Sequence, residues 1–249
     1  MTSSVWLGYN NAACSVPVAS SGCTNPQNLD SNVIAAKCRT TASAYVDLTF
    51  AASSTVRMIG LAGVVVGTGT ATAKFEFSNT ISGGSEVLSV TKTISLTTGY
   101  DKQGWILDAN ITATYLRVTF TNVAQVGLVW ASPAWNPARG ISYGAGDEWS
   151  DPRSVNVRSS ISGARSPIRR PKSRIVTFGL EAIDRTERAT AKEIDRLSGT
   201  TEQVFFMPGN GFGSDPNTEM IIGPIVETSP ILITSHALCS KAYKIEQDL

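Results

Sequence analysis

The sequence is poor in the residues on which most enzyme active sites depend. Of its 249 residues only 16% are charged, and only one, His236, is a histidine. A nucleophile activated by an imidazole therefore has His236 alone to use, and no G-x-S-x-G motif marks a serine nucleophile. The net charge of +1 argues against attraction of the whole molecule to nucleic acid or to an anionic membrane, so we expect no nucleic-acid specificity.

Long apolar runs and clustered cysteines are missing as well. No run approaches the ~20 apolar residues of a membrane-spanning helix, and the N-terminus lacks the pattern of a secretory signal, so we expect no membrane insertion. The four cysteines, Cys14, Cys23, Cys38 and Cys239, show no C-x-x-C spacing, and we predict no metal site. A Cys14–Cys23 disulfide and reduced thiols both fit the spacing, and the missing export signal favours reduced thiols.

Two segments suggest chemistry at first sight. Asp147 and Glu148 stand beside Trp149, but neighbours on a strand point to opposite sides, so these carboxylates cannot flank one glycosidic bond. The glycines of residues 208–216 are followed by no lysine, and we expect no helix after them, so we interpret the segment as a surface loop. We therefore predict that the chain is not an enzyme and carries no cofactor.

The composition changes at a segment rich in Trp, Gly and Pro, residues 131–152. Residues 1–150 contain eight Lys or Arg and eight Asp or Glu, whereas residues 151–249 contain thirteen and twelve. A change across a segment of turn-forming residues is typical of a domain boundary. We predict a first domain at 1–130, a joint at 131–152 and a second domain at 153–249.

The first domain is predicted to be a β-sandwich. Apolar and polar residues alternate through residues 44–50, 73–77 and 114–120, as in strands with one buried face. Further strands are predicted at 56–61, 64–66, 87–95, 104–107 and 126–130. About seven strands separated by Gly, Ser and Asn turns, with no convincing amphipathic helix, are typical of a sandwich.

Four short motifs follow one another along this domain: Leu29-Asp30, Val46-Asp47-Leu48, Phe77-Ser78-Asn79 and Leu116-Arg117-Val118. In this order they resemble the galactose-binding-like (discoidin-type) jelly roll, over roughly residues 5–130. The resemblance implies a jelly-roll fold whose loops at one end bind sugars or lipids. We interpret Asp30 as a turn cap and Asp47 as a strand-edge residue rather than as ligands.

Sugar binding of this kind needs an aromatic side chain that stacks on the ring. The residues that fit this role are Trp6, Tyr9, Tyr100 and Trp105. The alternative, which we favour, is that these aromatic side chains pack in the core or at a subunit contact.

The second domain contains one clear helix signal. Asp184-Arg185-Thr186-Glu187 is a capping box, and Ala191, Ile194 and Leu197 then share one helical face. Gly199 suits a C-cap in the left-handed region, so the helix is predicted over 185–198. Strands predicted at 174–180, 202–207, 220–226, 231–234 and 242–246 make this domain α+β. The fold class is therefore mainly β, with an N-terminal jelly-roll sandwich followed by a smaller α+β domain with one main helix.

A basic segment lies before this helix. Seven Lys or Arg and no acid lie from Arg153 to Arg174, and the arginines are Arg153, Arg158, Arg165, Arg169, Arg170 and Arg174. Phosphate binding is one interpretation. Because the segment alternates Ser, Gly and Val without aromatics, we favour an extended polar arm whose arginines contact carboxylates of neighbouring subunits.

Several stretches of the second half follow a recognisable order: Ser150-Asp151-Pro152-Arg153, Arg174–Leu180, Glu193–Leu197, Val204–Pro208 and Ile222–Ile225. In this order they resemble minor or distal tail proteins of tailed bacteriophages, over roughly residues 130–249. The resemblance implies a structural component of the virion tail, assembled in the host cytoplasm, that forms a ring with other copies of itself. Its further partners would be other tail proteins (tube, tape measure, hub or fibre). The alternative function is a carbohydrate-binding module that attaches to host-surface glycans.

Overall fold

A computed structural model of the chain describes residues 5–13, 17–30, 33–80, 86–142, 145–150, 155–158, 165–168, 172–209, 216–235 and 237–247. The strands up to residue 132 are β1 (Val5–Gly8), β2 (Pro17–Thr24), β3 (Cys38–Ala62), β4 (Val65–Val66), β5 (Ala71–Ser78), β6 (Glu86–Ile94), β7 (Gln103–Thr121), β8 (Val123–Val126) and β9 (Leu128–Ser132), with a 3-10 helix at Pro26–Asp30.

The remaining elements belong to the second half of the chain. They are β10 (Ala134–Trp135), β11 (Gly146–Ser150), β12 (Val155–Arg158), β13 (Arg165–Ile168), β14 (Ser173–Ile183), α1 (Arg185–Ser198), β15 (Gln203–Pro208), α2 (Pro216–Glu219), β16 (Ile221–Thr228), β17 (Leu232–Ile233) and β18 (Cys239–Glu246). The fold is mainly β with one main helix, as the sequence predicts. Within the described ranges no helix is long and apolar enough to cross a membrane.

Strands β2 to β9 form one antiparallel sheet with the order β4-β8-β3-β7-β5-β6, in which β2 and β9 also pair with β3. The long strands β3 and β7 pair along most of their length, and their register shifts between Thr49 and Ser54. Register shifts of this kind bend a strand. Residues on both sides of the shift, such as Leu48 and Ile59, belong to the same core, so the bent sheet closes over its own interior as a jelly-roll-like sandwich.

Alternating burial along the strands supplies this core. On β5, Ala73, Phe75 and Phe77 are buried, while Lys74 and Glu76 between them point outward and form an ion pair at 2.6 Å. Asp47 is not a strand-edge residue, contrary to the sequence-based expectation. It is buried, and its two carboxylate oxygens accept from Arg117 at 2.6 and 2.8 Å across the β3–β7 pair.

A second antiparallel sheet has the order β10-β1-β15-β16-β18-β14-β11, and β17 pairs with β18. Strand β1, assigned above to the sandwich, lies in this sheet, where Val5 pairs with Pro208 and Leu7 with both Phe206 and Trp135. The residues of β1 alternate between the two faces of this sheet, and other layers cover both faces. A short apolar strand is therefore buried on both sides in this position.

Helix α1 spans the predicted range and begins at its capping box. The Asp184 side chain accepts from the backbone N–H of Thr186 and Glu187, each at 2.8 Å, and the Glu187 side chain accepts from Asp184 N at 3.2 Å. Gly199 follows as the C-cap with φ of +50° and ψ of −132°, so its ψ lies outside the left-handed helical region that the sequence predicts. Ala191 and Ile194 on its apolar face pack on the second sheet.

The second sheet is the middle of three layers. Val204 and Phe206 on β15 face α1, whereas Phe205 and Met207 face the sandwich. Phe205 is fully buried there, and its ring packs edge-to-face on Trp130 of β9, with centroids 5.7 Å apart. The two halves therefore share an apolar interface.

In the basic segment the described strands β12 and β13 are the two sides of an antiparallel hairpin. Ser150 pairs with Ser173, and Val155, five residues further out, pairs with Ile168, five residues before Ser173. The register is thus the same in both described pairings. The expected contact of the arm's arginines with carboxylates of neighbouring subunits stays a prediction.

Candidate functional site

A groove with a volume of about 480 Å³ lies where the sandwich meets the second sheet. It brings together Trp6 from β1 and Trp105 from β7, two of the aromatic residues singled out in the sequence. Its other lining residues come from the end of β6, the start of β7, the end of β15 and helix α2: Lys92, Gln103, Gly104, Ile106, Met207, Pro208, Gly209, Asn217 and Met220. Concave sites of about 300–1,000 Å³ with aromatic walls and a few polar groups are typical of small-molecule sites.

Two side-chain amides fix the wall formed by β6. The backbone N–H of Ser95 donates to Gln103 Oε1 at 2.9 Å, and Asn217 Nδ2 donates to the Ser95 carbonyl oxygen at 3.2 Å. Because Gln103 belongs to the sandwich and Asn217 to α2, these hydrogen bonds tie both halves of the chain to one residue. The groove is therefore shaped by the contact between the halves.

Both tryptophans are half-buried and held by neighbours. The Trp105 ring packs edge-to-face on Phe75, with centroids 6.0 Å apart. The Arg57 guanidinium lies over the Trp6 ring, 5.6 Å from its centroid. Each indole thus has a fixed position and still borders the groove.

The charge of the groove is low. Lys92 is the only charged residue among the described lining residues. Among the ion pairs of the described part of the chain, none involves Lys92. With aromatic faces, amides and one ammonium group, the lining suits a ligand that has apolar patches together with hydroxyl groups.

The other two predicted aromatics lie outside this groove. Tyr9 packs against the core between the second sheet and α1, where burial and the Glu193 carboxylate raise the pKa of its phenol. Tyr100 lines an adjoining small cavity together with Trp149. Trp149 was considered in the sequence only as a neighbour of Asp147 and Glu148, and its role as a lining residue was missed.

The predicted arm arginines separate into two groups. Arg174 is buried, and its guanidinium donates to Asp147 at 2.9 Å, to Glu219 and to the Thr218 carbonyl oxygen, so it anchors the folded body. Arg158 and Arg165 pair with each other across the hairpin. Arg153, Arg169 and Arg170 lie outside the described residues, and the role of the arm as a subunit contact stays a prediction.

The described residues contain no group of three or more His, Cys, Asp or Glu side chains that could hold a metal ion. Cys23, Cys38 and Cys239 are free thiols, and a hydrogen bond with Cys38 lowers the pKa of Cys23. Cys14 and His236 lie outside the described residues. Residues 210–215 of the glycine-rich segment also lie outside the described residues. The expectation that no helix follows this segment is wrong, because α2 begins at Pro216.

No protein-family model matches the chain, and no curated protein matches it in sequence. Solved structures similar to it include a Streptococcus pneumoniae fucose-binding module (11% identity, 50% of this chain and 95% of that one, TM-score 0.37). A chitosan-binding module of a Paenibacillus sp. IK-5 chitosanase/glucanase is 14% identical over 50% of this chain and all of that one, with a TM-score of 0.39. The lectin domain of lectinolysin is 10% identical over 49% of this chain and 96% of that one, with a TM-score of 0.36.

Proposed function

We propose that the chain binds a carbohydrate in the groove between Trp6 and Trp105. The observation that carries the proposal is the meeting of these two half-buried indoles in one concave site, although they are distant in sequence. A sugar ring has an apolar C–H face that packs on an indole, while its hydroxyl groups accept and donate hydrogen bonds at the rim. Lys92 and the amides of Gln103 and Asn217 line the same groove and supply polar groups there.

In this proposal the chain binds its sugar without cleaving it. Glycosidases place two carboxyl groups on either side of the scissile bond. Asp147 and Glu148, the adjacent pair considered above, do not line the groove; Asp147 pairs with Arg174, and Glu148 lies 3.8 Å from Lys244. Lys92, the charged residue that does line the groove, carries an ammonium group and cannot take the place of two carboxyl groups.

A glycan array followed by titration calorimetry tests the proposal. The wild-type chain should bind at least one class of glycan, and Trp105→Ala and Trp6→Ala should each weaken binding by roughly tenfold or more, or about 1.4 kcal/mol. Ile233→Ala is the matched control, because it removes an exposed apolar side chain that lines no part of the groove. Circular dichroism and thermal unfolding check that each variant folds. Binding by the folded tryptophan variants at wild-type affinity, or no glycan binding by the wild-type chain, contradicts the proposal.

A second candidate function is structural, and the hairpin arm is the observation that favours it. Six Lys or Arg lie from Arg153 to Lys172, and the segment itself contains no acid to neutralise them. Carboxylates of a neighbouring subunit would do so, and cyclic symmetry would let each copy give and receive one arm. This function is that of a ring-forming subunit of a bacteriophage virion tail, in contact with other tail proteins.

The register of the hairpin makes this second candidate testable without disturbing the sheet. Residues 151–172 can be replaced by an Asn-Gly turn, because Ser150 and Ser173 are already paired. If the arm builds a ring, the wild-type chain should be oligomeric in light scattering, and the shortened chain should be a folded monomer with unchanged glycan binding. A wild-type monomer that is absent from purified virions, or a shortened chain that still assembles, contradicts the structural function.

A further inference from the structure

A second pair of aromatic side chains lies beside the groove. Trp149 on β11 is 60% exposed and Tyr100 is 37% exposed, and both border a small cavity of about 50 Å³. An exposed tryptophan gains little from packing within its own chain, so its position at a cavity mouth points to a ligand.

The small cavity and the groove share two walls. Asn217 and Met220, on and directly after α2, line both of them. The two aromatic pairs therefore border cavities that adjoin at α2. A chain of sugar residues that leaves the groove over α2 would reach Trp149 and Tyr100 next.

The floor of the small cavity is polar and fixed. Lys102 is buried and pairs with Asp101 at 3.2 Å, and Arg174 is buried and held by Asp147 and Glu219. The cavity is about a tenth of the volume of the groove, 50 against 480 Å³, so we assign it one ring substituent rather than a whole ring. A sugar ring would therefore lie on Trp149, with a hydroxymethyl, acetamido or carboxylate group inserted toward Lys102.

We propose that Trp149 and Tyr100 form a second sugar subsite, so that the chain binds an oligosaccharide extended from the groove across α2. This inference rests on the proposed function and specifies its ligand: a linear chain that covers both aromatic pairs, not a single terminal sugar. Continuity with the groove through Asn217 and Met220 selects this occupant.

Titration with oligosaccharides of increasing length tests the subsite. The probes are cello-oligosaccharides, chito-oligosaccharides and oligogalacturonides of one to six residues. For the series that binds, the affinity of the wild-type chain should rise with length until both subsites are filled. Trp149→Ala should weaken binding of the long probes by roughly tenfold and leave binding of the shortest bound probe unchanged. Trp149→Phe, which keeps an aromatic face, should restore much of the loss.

The outcomes separate the two proposals. If short and long probes bind with equal affinity, or if Trp149→Ala weakens them equally, the second subsite is wrong while the groove stands. If Trp149→Ala changes the oligomeric state in light scattering and not the length dependence, Trp149 is a subunit contact, which also overturns the subsite. If the wild-type chain binds no probe and no glycan of the array, the proposed function itself fails.

Discussion

The interface between the two halves depends on two glycines that leave room for one ring. Gly60 on β3 and Gly104 on β7 pair with each other, and the Phe205 ring lies over them. A Cβ atom at Gly104 would lie 2.6 Å from Phe205 Cζ, and a Cβ atom at Gly60 would lie 2.4 Å from Phe205 Cε1. Such distances are far inside van der Waals contact, so the ring and the added methyl group cannot both keep their places.

We predict that Gly104→Ala destabilises the protein by about 1–3 kcal/mol, the usual cost of an added methyl group in a packed core. Phe205 has no free space into which to move, because it is fully buried and packs on Trp130. With a urea m-value of about 3 kcal/mol/M, this loss lowers the unfolding midpoint by about 0.3–1 M. Urea titration followed by circular dichroism and by tryptophan fluorescence measures it, and Trp130 places one fluorophore at the interface.

Gly146→Ala on β11 is the matched control, because among the described residues no atom beyond its chain neighbours lies within 4 Å of the Cβ that it would add. It should change the free energy of unfolding by no more than about 0.5 kcal/mol. In the double variant with Phe205→Leu, Gly104→Ala should cost less than it does alone, with a coupling of about 0.5–3 kcal/mol. If Gly104→Ala is as stable as the control, or if the double variant is additive, the assigned role of Phe205 is wrong.

Two further predictions concern buried polar groups. Arg117→Leu leaves the buried Asp47 carboxylate without its paired donor and should cost about 3–5 kcal/mol in urea unfolding, whereas Asp47→Asn in the same background should recover part of that loss. Burial, with a contribution from Asp195, raises the pKa of Tyr243, whose hydroxyl group has no hydrogen-bond partner among the described residues. The folded state therefore favours the neutral form of the Tyr243 phenol. The stability that this preference contributes is complete below the unfolded pKa of about 10 and is lost as the pH rises above it. Tyr243→Phe should be at least as stable as wild type at pH 7 and should fall less between pH 9 and 11; an equal fall in both proteins contradicts this origin.

Local signals were sufficient to predict helix α1 and the alternating strands of the sandwich. Helix α1 occupies the predicted range because its cap is set by side chains within four residues of one another, from Asp184 to Glu187. The strands of the sandwich follow from alternation, as on β5, where burial switches at every residue from Ala71 to Phe77. In both cases the pattern and the structure that it predicts involve the same few neighbouring residues.

Pairing between distant segments could not be predicted in this way. Nothing within the four residues of β1 indicates that they pair with Met207 and its neighbours rather than with the sandwich, since an apolar strand fits either sheet. The buried pairing of Asp47 with Arg117 also joins residues that are distant in sequence, although both belong to motifs singled out in the sequence. In the sequence Arg174 does not differ from the other arginines of the basic segment. Its ion pairs with Asp147 and Glu219 depend on the fold of distant segments.

The placement of β1 ties the candidate site to the fold of the whole chain. If the chain were cut at residue 130, the first fragment would contain both Trp6 and Trp105. Trp6 would then lack β10 and β15, the strands that pair with β1 and lie on the second fragment. The wall residues Met207, Asn217 and Met220 would be lost with the second half. The sandwich alone therefore cannot form the groove, even though it carries both tryptophans in its sequence. The aromatic residue types identified the side chains that could contact a sugar, and the packing of the second sheet on the sandwich decides which of them face one site.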